Sequence, residues 1–262
     1  MEITGKTRCL PIIGHPVDEV FSPPAYNNWF RGNDVDCRMI ALDLVPTAVA
    51  PFLSVVRASA SFVGSSVTYP YKQVAFSHAD SVTDCARRLG ALNTLRREPD
   101  GRLSGDATDG RAMVDAIEAR DATIRGASAL VLGAGGGAGR AIADALCESG
   151  VSSLCLLDRD AGRRAAVASS ISGHWPHVSI STSRGEAAIL VNATTLGKKD
   201  EDGVPFENDQ VRNADVVCDV VTRHGATRLI GLAQDLAKVA ISGSDMGAAQ
   251  LGPQLRFLGL QP

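Results

Sequence analysis

Little in this chain of 262 residues is concentrated in one place, and each absence removes a class of function. No apolar run reaches the ~18 residues that a bilayer-spanning helix needs. The start, Met1-Glu2-Ile3-Thr4-Gly5-Lys6, carries charge too early and too little apolar length for a signal peptide. A cytoplasmic protein is therefore the expectation. Neither sign of charge is in surplus: 26 basic against 29 acidic side chains leave a net charge of -3. No polycationic surface is offered to nucleic acid or to an anionic membrane. Six cysteines (Cys9, Cys37, Cys85, Cys147, Cys155, Cys218) contain no Cys-x-x-Cys and no Cys/His ligand spacing. They read as small hydrophobes of a reducing compartment. The histidines (His15, His78, His174, His177, His224) are equally dispersed, and no metal site is expected. Internal repeats and low-complexity segments are missing too.

What is there is ordinary for a globular protein. Hydrophobic residues make up 45% and charged residues 21%, enough to bury a core without disulfides or structural metal. Apolar strand-like runs alternate with helical stretches, the pattern of a mostly parallel α/β sheet. Strands are expected at Leu10–Gly14, Asp36–Leu42 and Phe62–Thr68, with a helix opened by Ser22-Pro23-Pro24 and another near 47–59. Pro99-Asp100-Gly101 marks a turn, making Leu92–Arg97 and Arg102–Gly105 a hairpin that adds an antiparallel edge. Later strands are expected at Ala129–Leu132, Ser153–Leu157, Val178–Ser181, Ile189–Asn192, Val216–Val221 and Lys238–Ile241, and a last helix over Met246–Phe257.

The sharpest local signal is Gly133-Ala134-Gly135-Gly136-Gly137-Ala138-Gly139-Arg140, directly after an apolar strand and opening a helix. Read as Gly133-x-Gly135-x-x-Ala138, it matches the dinucleotide-binding turn. The first glycine permits the tight turn, the second lets backbone approach a pyrophosphate, and the small third residue lets helix pack on strand. Gly136 adds backbone at the helix N-terminus, where N–H groups receive phosphates. A flexible strand–helix turn without a ligand is the plainer alternative. The next strand ends at Asp158, where a carboxylate takes both ribose hydroxyls of NAD and repels the 2′-phosphate of NADP. Arg159, Arg163 and Arg164 follow and could clasp that phosphate instead; the acid placed first favours NAD.

Three further stretches set polar residues at strand ends: Ser66-Val67-Thr68-Tyr69-Pro70-Tyr71-Lys72, Gly90-Ala91-Leu92-Asn93-Thr94-Leu95 and Gly105-Asp106-Ala107-Thr108-Asp109-Gly110. Ligands of open α/β sheets sit outside the carboxyl ends of strands. A lysine with an aspartate suits alcohol–ketone interconversion: Lys72 stabilises a developing alkoxide and passes a proton, and Asp109 orients it or shares the transfer. Each alone has a blander reading, a solvated lysine and a helix-capping aspartate.

With Ile13-Gly14-His15-Pro16, Phe21-Ser22-Pro23, Asn192-Ala193-Thr194-Thr195-Leu196-Gly197 and Gly243-Ser244-Asp245-Met246-Gly247-Ala248-Ala249-Gln250, these stretches resemble the shikimate/quinate dehydrogenase family in order along essentially the whole chain. The resemblance implies two α/β domains. Residues 1–109 plus 243–262 would form the substrate-binding and catalytic domain, and 110–242 the Rossmann-type NAD(P) domain, with catalysis in the cleft between them. It implies Lys72 and Asp109 as catalytic pair, Asn93 and Gln250 on ring hydroxyls, and Ser22 and Thr68, with Ser66, toward the substrate carboxylate. It implies that Asn192 and Thr194 form the loop beside the nicotinamide and that Met246 lines its pocket. The cofactor is then NAD or NADP, the partner a small-molecule cyclitol acid, and the chain a monomer or homodimer. Departures from the family pattern are Val20 for a serine, Ser66 and Ala107 for asparagines, Thr222 for a tyrosine, and a glycine turn one residue longer. They leave a non-catalytic, ligand-binding paralogue of the same fold as the alternative.

Overall fold

The computed structural model describes residues 2–18, 20–223 and 225–261; His224 of the histidine survey and the initial Met1 lie outside them. Two compact units emerge: residues 1–108 with 250–262, and residues 109–249.

The first unit contains strands β1 (Arg8–Cys9) and β2 (Ile12–Gly14), helix α1 (Ser22–Gly32), strands β3 (Cys37–Arg38) and β4 (Ala41–Asp43), and helix α2 (Val49–Ala58) after a 3-10 turn. Strand β5 (Gly64–Val67), helix α3 (Lys72–Ser77), strand β6 (Ser81–Val82), helix α4 (Asp84–Leu89) and strands β7 (Thr94–Arg97) and β8 (Leu103–Asp106) follow. A six-stranded sheet runs β4-β2-β5-β7-β8-β6, while β1 and β3 form a separate parallel pair. The expected strand over Asp36–Leu42 is thus two short strands serving different sheets. The hairpin exists as expected around Gly101, whose φ of +87° only glycine adopts readily. It does not form the edge, because β6 pairs in parallel with β8 outside it. Ser22 is not the cap of α1 either: it is the first helical residue, with Phe21 at the cap and proline in the first turn.

The second unit carries helix α5 (Asp109–Glu118), strand β9 (Ser128–Leu132), helix α6 (Gly137–Glu148), strand β10 (Ser153–Leu157), helix α7 (Ala161–His174) and strands β11 (Ser179–Ser181) and β12 (Ile189–Asn192). Helix α8 (Asn208–Asn213), strand β13 (Val216–Asp219), helix α9 (Arg228–Asp235), strand β14 (Val239–Ile241) and helix α10 (Gly243–Ala249) complete it. Its sheet is wholly parallel in the order β11-β10-β9-β12-β13-β14, the doubly wound Rossmann arrangement. Alternation along each strand explains the helices on both faces. Ala129, Val131, Ile189, Val191, Val216 and Cys218 join one core with Met113, Ile142 and Leu146. Leu130, Leu190 and Val217 join the other with Val211 and Leu229. Gly110 lets α5 lie against α6, since a Cβ there would stand 2.1 Å from the Ala141 carbonyl oxygen.

The last helix is not continuous. Helix α11 (Leu251–Leu258) starts afresh after α10. Pro253 has no N–H to continue the ladder to Ala249, so the helix breaks at Gln250. The chain returns to the first unit at this break rather than at Gly243: α10 packs on α5, whereas Leu255 and Leu258 join the core of Leu10, Tyr26 and Phe30.

Candidate active site

In the first unit, the polar stretches meet around Asn93. Its backbone N–H donates to Asp106 O at 3.0 Å and its carbonyl accepts Val67 N–H at 2.8 Å. Leu92 N–H donates to Lys72 O at 3.1 Å. The Asn93 side chain clasps Thr108: Oδ1 accepts Thr108 N–H at 2.9 Å, and Nδ2 donates to Thr108 Oγ1 at 3.0 Å. Asn93 and Thr108 are both buried. The end of β5, the start of α3, the start of β7 and the residue before Asp109 are therefore knitted together by hydrogen bonds. Lys72 opens α3 and is half-buried, and Asp109 opens α5 and is buried.

Thr68 lies close to the end of β2. A Cβ on Gly14 would stand 2.4 Å from Thr68 Cγ2 and 2.9 Å from Tyr69 O, so glycine permits that approach. Ser22 is half-buried at the start of α1, and Gln250 is half-buried at the start of α11. Ser66 departs from its expected use. It is buried, and its hydroxyl lies 3.3 Å from Gln254 Oε1, which also accepts the Tyr26 hydroxyl. Burial raises the Tyr26 phenol well above its ordinary range, so it stays protonated and donates.

In the second unit, the glycine turn bridges β9 and α6 at the point where strand order reverses, between β9 and β12. Gly133 has φ +84°, and a Cβ on it would stand 2.7 Å from Ala193 O and 2.8 Å from Thr194 Cγ2. Gly136 caps α6. A Cβ on Gly137 would meet nothing within 4 Å, so the helix N-terminus opens onto free space. Gly139, not Ala138, is the small residue that lets helix meet strand: its Cβ would stand 2.2 Å from Gly133 O, whereas Ala138 is only half-buried. The turn is one residue longer than the Gly-x-Gly-x-x-Ala reading allows. These residues fit a dinucleotide: backbone without Cβ atoms, an open helix N-terminus, and a carboxylate at the next strand end.

That carboxylate is Asp158. Its Oδ2 accepts Gly135 N–H at 2.9 Å and its Oδ1 accepts Asp160 N–H at 2.9 Å. Arg159 is exposed, Arg163 Nη2 stands 3.9 Å from Asp158 Oδ1, and Arg164 donates to the Asp158 carbonyl at 3.2 Å. Asn192 and Thr194 lie at the end of β12, bonded to one another: Asn192 Oδ1 accepts Thr194 N–H at 3.2 Å and Oγ1–H at 2.7 Å. Met246 is buried on α10, in the core of the unit.

Gly139, the clasp at Thr108, and Asp219 escape sequence reasoning. The last is fully buried at the end of β13, where burial pushes its carboxyl up while Thr227, Val221 N–H and Asn192 pull it down. An acid directly following the apolar run Val216-Val217-Cys218 was the available signal. Among the described residues no group of three or more His, Cys, Asp or Glu could hold a metal, and no helix is long and apolar enough to cross a membrane.

The shikimate dehydrogenase substrate binding domain, as a family model, matches residues 12–95. A shikimate dehydrogenase (NADP(+)) of Rhodospirillum rubrum is 34% identical over 254 residues, covering 93% of this chain and 89% of its own. One from Acidiphilium cryptum is 35% identical, covering 97% and 91%. The shikimate 5-dehydrogenase of Thermus thermophilus, solved in complex with NADP(H) and shikimate, superposes with a TM-score of 0.86 at 30% identity, covering 97% of this chain and 95% of that one. The fold is also that of the 5-ketofructose reductase of a Gluconobacter species, at a TM-score of 0.87, 23% identity and coverage of 96% and 92%. Identity of this extent, over a sheet order and a glycine turn of the dinucleotide type, places the chain in the shikimate dehydrogenase family, NAD(P)-dependent oxidoreductases acting on a CH–OH group.

Proposed function

We propose that this chain interconverts a ring hydroxyl and its ketone on shikimate, quinate or a closely related cyclitol acid, with Lys72 and Asp109 as the catalytic pair. The observation that carries the reading is the hydrogen-bonded knot around Asn93, which joins the segments bearing Thr68, Lys72 and Thr108–Asp109.

A bound nicotinamide dinucleotide supplies hydride to the carbonyl carbon, or takes it from the alcohol carbon. The chain's own residues handle the charge and the proton. In the reducing direction negative charge grows on the carbonyl oxygen, where the Lys72 ammonium stabilises it and hands over a proton. Asp109 orients the lysine or shares the transfer. Asn93 and Gln250 bind ring hydroxyls, and Ser22 and Thr68 face the carboxylate. Ser66 is the weakest member of that set, because its hydroxyl turns toward Gln254. On the nucleotide side, Gly133, Gly135 and Gly136 receive the pyrophosphate, with Gly139 in the packing role first given to Ala138. Asn192, Thr194 and Met246 stand by the nicotinamide.

The curated relatives carry NADP(+) in their names. The reading favours NAD for this chain, because a carboxylate at the end of β10, bonded to Gly135 N–H of the glycine turn, would take ribose hydroxyls and repel a 2′-phosphate. The fold itself does not choose the substrate, since function resides in the site rather than the fold.

Initial rates with shikimate, quinate and an amino analogue of the ring acid, each with NAD and NADP, test the reading. Turnover of at least one ring acid is expected, faster with NAD; no turnover with any pairing overturns it. Lys72→Ala separates the enzyme from a non-catalytic paralogue. Turnover should fall roughly 10²–10⁴-fold with cofactor affinity unchanged.

A further inference from the structure

Asp219 is wholly buried, and three neutral donors converge on it. Oδ1 accepts Asn192 Nδ2 at 3.0 Å and Val221 N–H at 3.1 Å, and Oδ2 accepts Thr227 Oγ1–H at 2.6 Å. We infer that Asp219 is a positioning residue for the cofactor, fixing the Asn192 amide and through it the placement of Thr194 against Gly133. The inference deepens the dehydrogenase reading and rests on it.

Donors and acceptors in this cluster match in only one way. Asn192 Nδ2 donates to both Asp219 and Leu196 O, the latter at 3.0 Å. Its Oδ1 accepts both the N–H and the hydroxyl of Thr194. Thr194 Oγ1 in turn accepts Leu196 N–H at 3.0 Å. A carboxylate offers acceptors only, so a single orientation of the Asn192 amide satisfies every partner. Were the amide reversed, its oxygen would face the carboxylate and its NH2 would face the Thr194 N–H.

Thr194 has no room to shift unnoticed. Its Cγ2 and the Ala193 carbonyl occupy the space beside Gly133 that a Cβ would need. The same carboxylate also ties down α9, because Thr227 donates to Asp219 while its oxygen accepts Ile230 N–H at 3.3 Å at the helix start. One buried group thus registers the β12 exit loop, the glycine turn and α9.

A structural role and a positioning role predict different outcomes for Asp219→Asn. The amide is isosteric and removes a charge that burial disfavours, but it brings donors into a cluster of donors. Where the new amide turns its NH2 toward Asn192, the Asn192 Nδ2 loses its acceptor and the hold on the loop bearing Thr194 loosens. The expected result is a rise of roughly tenfold in cofactor KM and in the Kd for NADH read by fluorescence. KM for the ring acid should stay within about twofold, and the melting temperature near wild type.

Unchanged NADH affinity in Asp219→Asn overturns the inference, whether or not the melting temperature falls. Should that variant not fold, Thr227→Val and Thr227→Ser replace it. Valine should weaken NADH binding several-fold and serine should restore it, whereas equal affinities in all three proteins overturn the proposal. Wild-type protein that binds no NADH or NADPH refutes the dehydrogenase reading itself, a result distinct from equal binding by wild type and variant.

Discussion

Two alanine substitutions two residues apart in the glycine turn should have opposite effects on stability. At Gly139 a Cβ would stand 2.2 Å from Gly133 O, 2.8 Å from Gly133 C and 3.0 Å from Ala134 Cα. All three obstacles are backbone, so no rotamer change relieves them. Bringing the oxygen to ordinary contact at 3.4 Å requires 3.4 − 2.2 = 1.2 Å of movement. That movement pulls on the carbonyl that accepts Gly136 N–H at 3.0 Å and closes the turn. Overpacking of this kind costs about 1–3 kcal/mol, or roughly 2–12 °C of melting temperature at ~2–4 °C per kcal/mol. At Gly137 a Cβ meets nothing within 4 Å and the backbone is not left-handed. Alanine there restricts the unfolded chain and should stabilise by up to about 1 kcal/mol. The added methyl nonetheless occupies the open helix N-terminus, so Gly137→Ala should bind NADH more weakly while melting no lower. Thermal melts and fluorescence titrations of both variants provide the check. Gly139→Ala melting with wild type, or Gly137→Ala losing as much as Gly139→Ala, would refute the assignment of Gly139 as the close-packing residue.

Asp158→Asn should raise the NADP-to-NAD ratio of kcat/KM by roughly tenfold or more, since the amide oxygen keeps the Gly135 bond while the repelling charge is gone; an unchanged ratio removes Asp158 from cofactor selection. Arg57, and then the Leu103 N–H, hold the Asp80 carboxyl below its usual range. Its stabilisation is therefore complete above the unfolded-state value and lost as pH falls through the lower folded-state value, so Asp80→Asn should flatten the melting temperature below about pH 4. Superimposable acid arms for variant and wild type would contradict this. Burial pushes the Cys147 thiol up to about 12 and Cys37 to about 11, and Cys218 is raised too. An aromatic disulfide reagent at neutral pH should leave these three unlabelled until the protein unfolds, and prompt labelling of the native protein would show them accessible.

The second unit was legible because its strands are continuous apolar runs bounded by glycine or polar residues. Ile189–Asn192 and Ser153–Leu157 fall where the pattern puts them. Helices α3, α4 and α8 have six residues each, under two turns, too short for a 3.6-residue period to register. The run from Met246 to Phe257 has helical character throughout, and only the missing N–H of Pro253 divides it. Spacing alone could not choose between Ala138 and Gly139. Five of the seven residues 133–139 are glycine, and several alignments satisfy the same motif. Lys72, Asn93 and Asp109 stand out in the sequence as candidates because they are polar residues following strands or turns. Asp219 was not, because its partners Asn192 and Thr227 come from other segments, 27 and 8 residues away.

The departures from the family pattern acquire a common physical basis in the first unit. Val20 packs against the core of Leu10, Tyr26, Phe30 and Leu255. The Ser66 hydroxyl reaches Gln254, and Ala107, next to Thr108 in the chain, is buried. Apolar packing and an inward hydrogen bond thus replace groups that would otherwise present polar atoms to a ligand. A Ser66 hydroxyl that turned to a carboxylate would give up its bond to Gln254 Oε1, which would keep the Tyr26 hydroxyl as donor. Substrate binding would thus gain from Ser66 only the difference between one hydrogen bond and the other. On the proposed reading, recognition of an acid group on the substrate falls to Ser22 and Thr68, with the ring hydroxyls on Asn93 and Gln250. On that reading quinate and shikimate, which share the carboxylate and differ in the ring, would be told apart by the same residues proposed to hold the reacting hydroxyl beside Lys72.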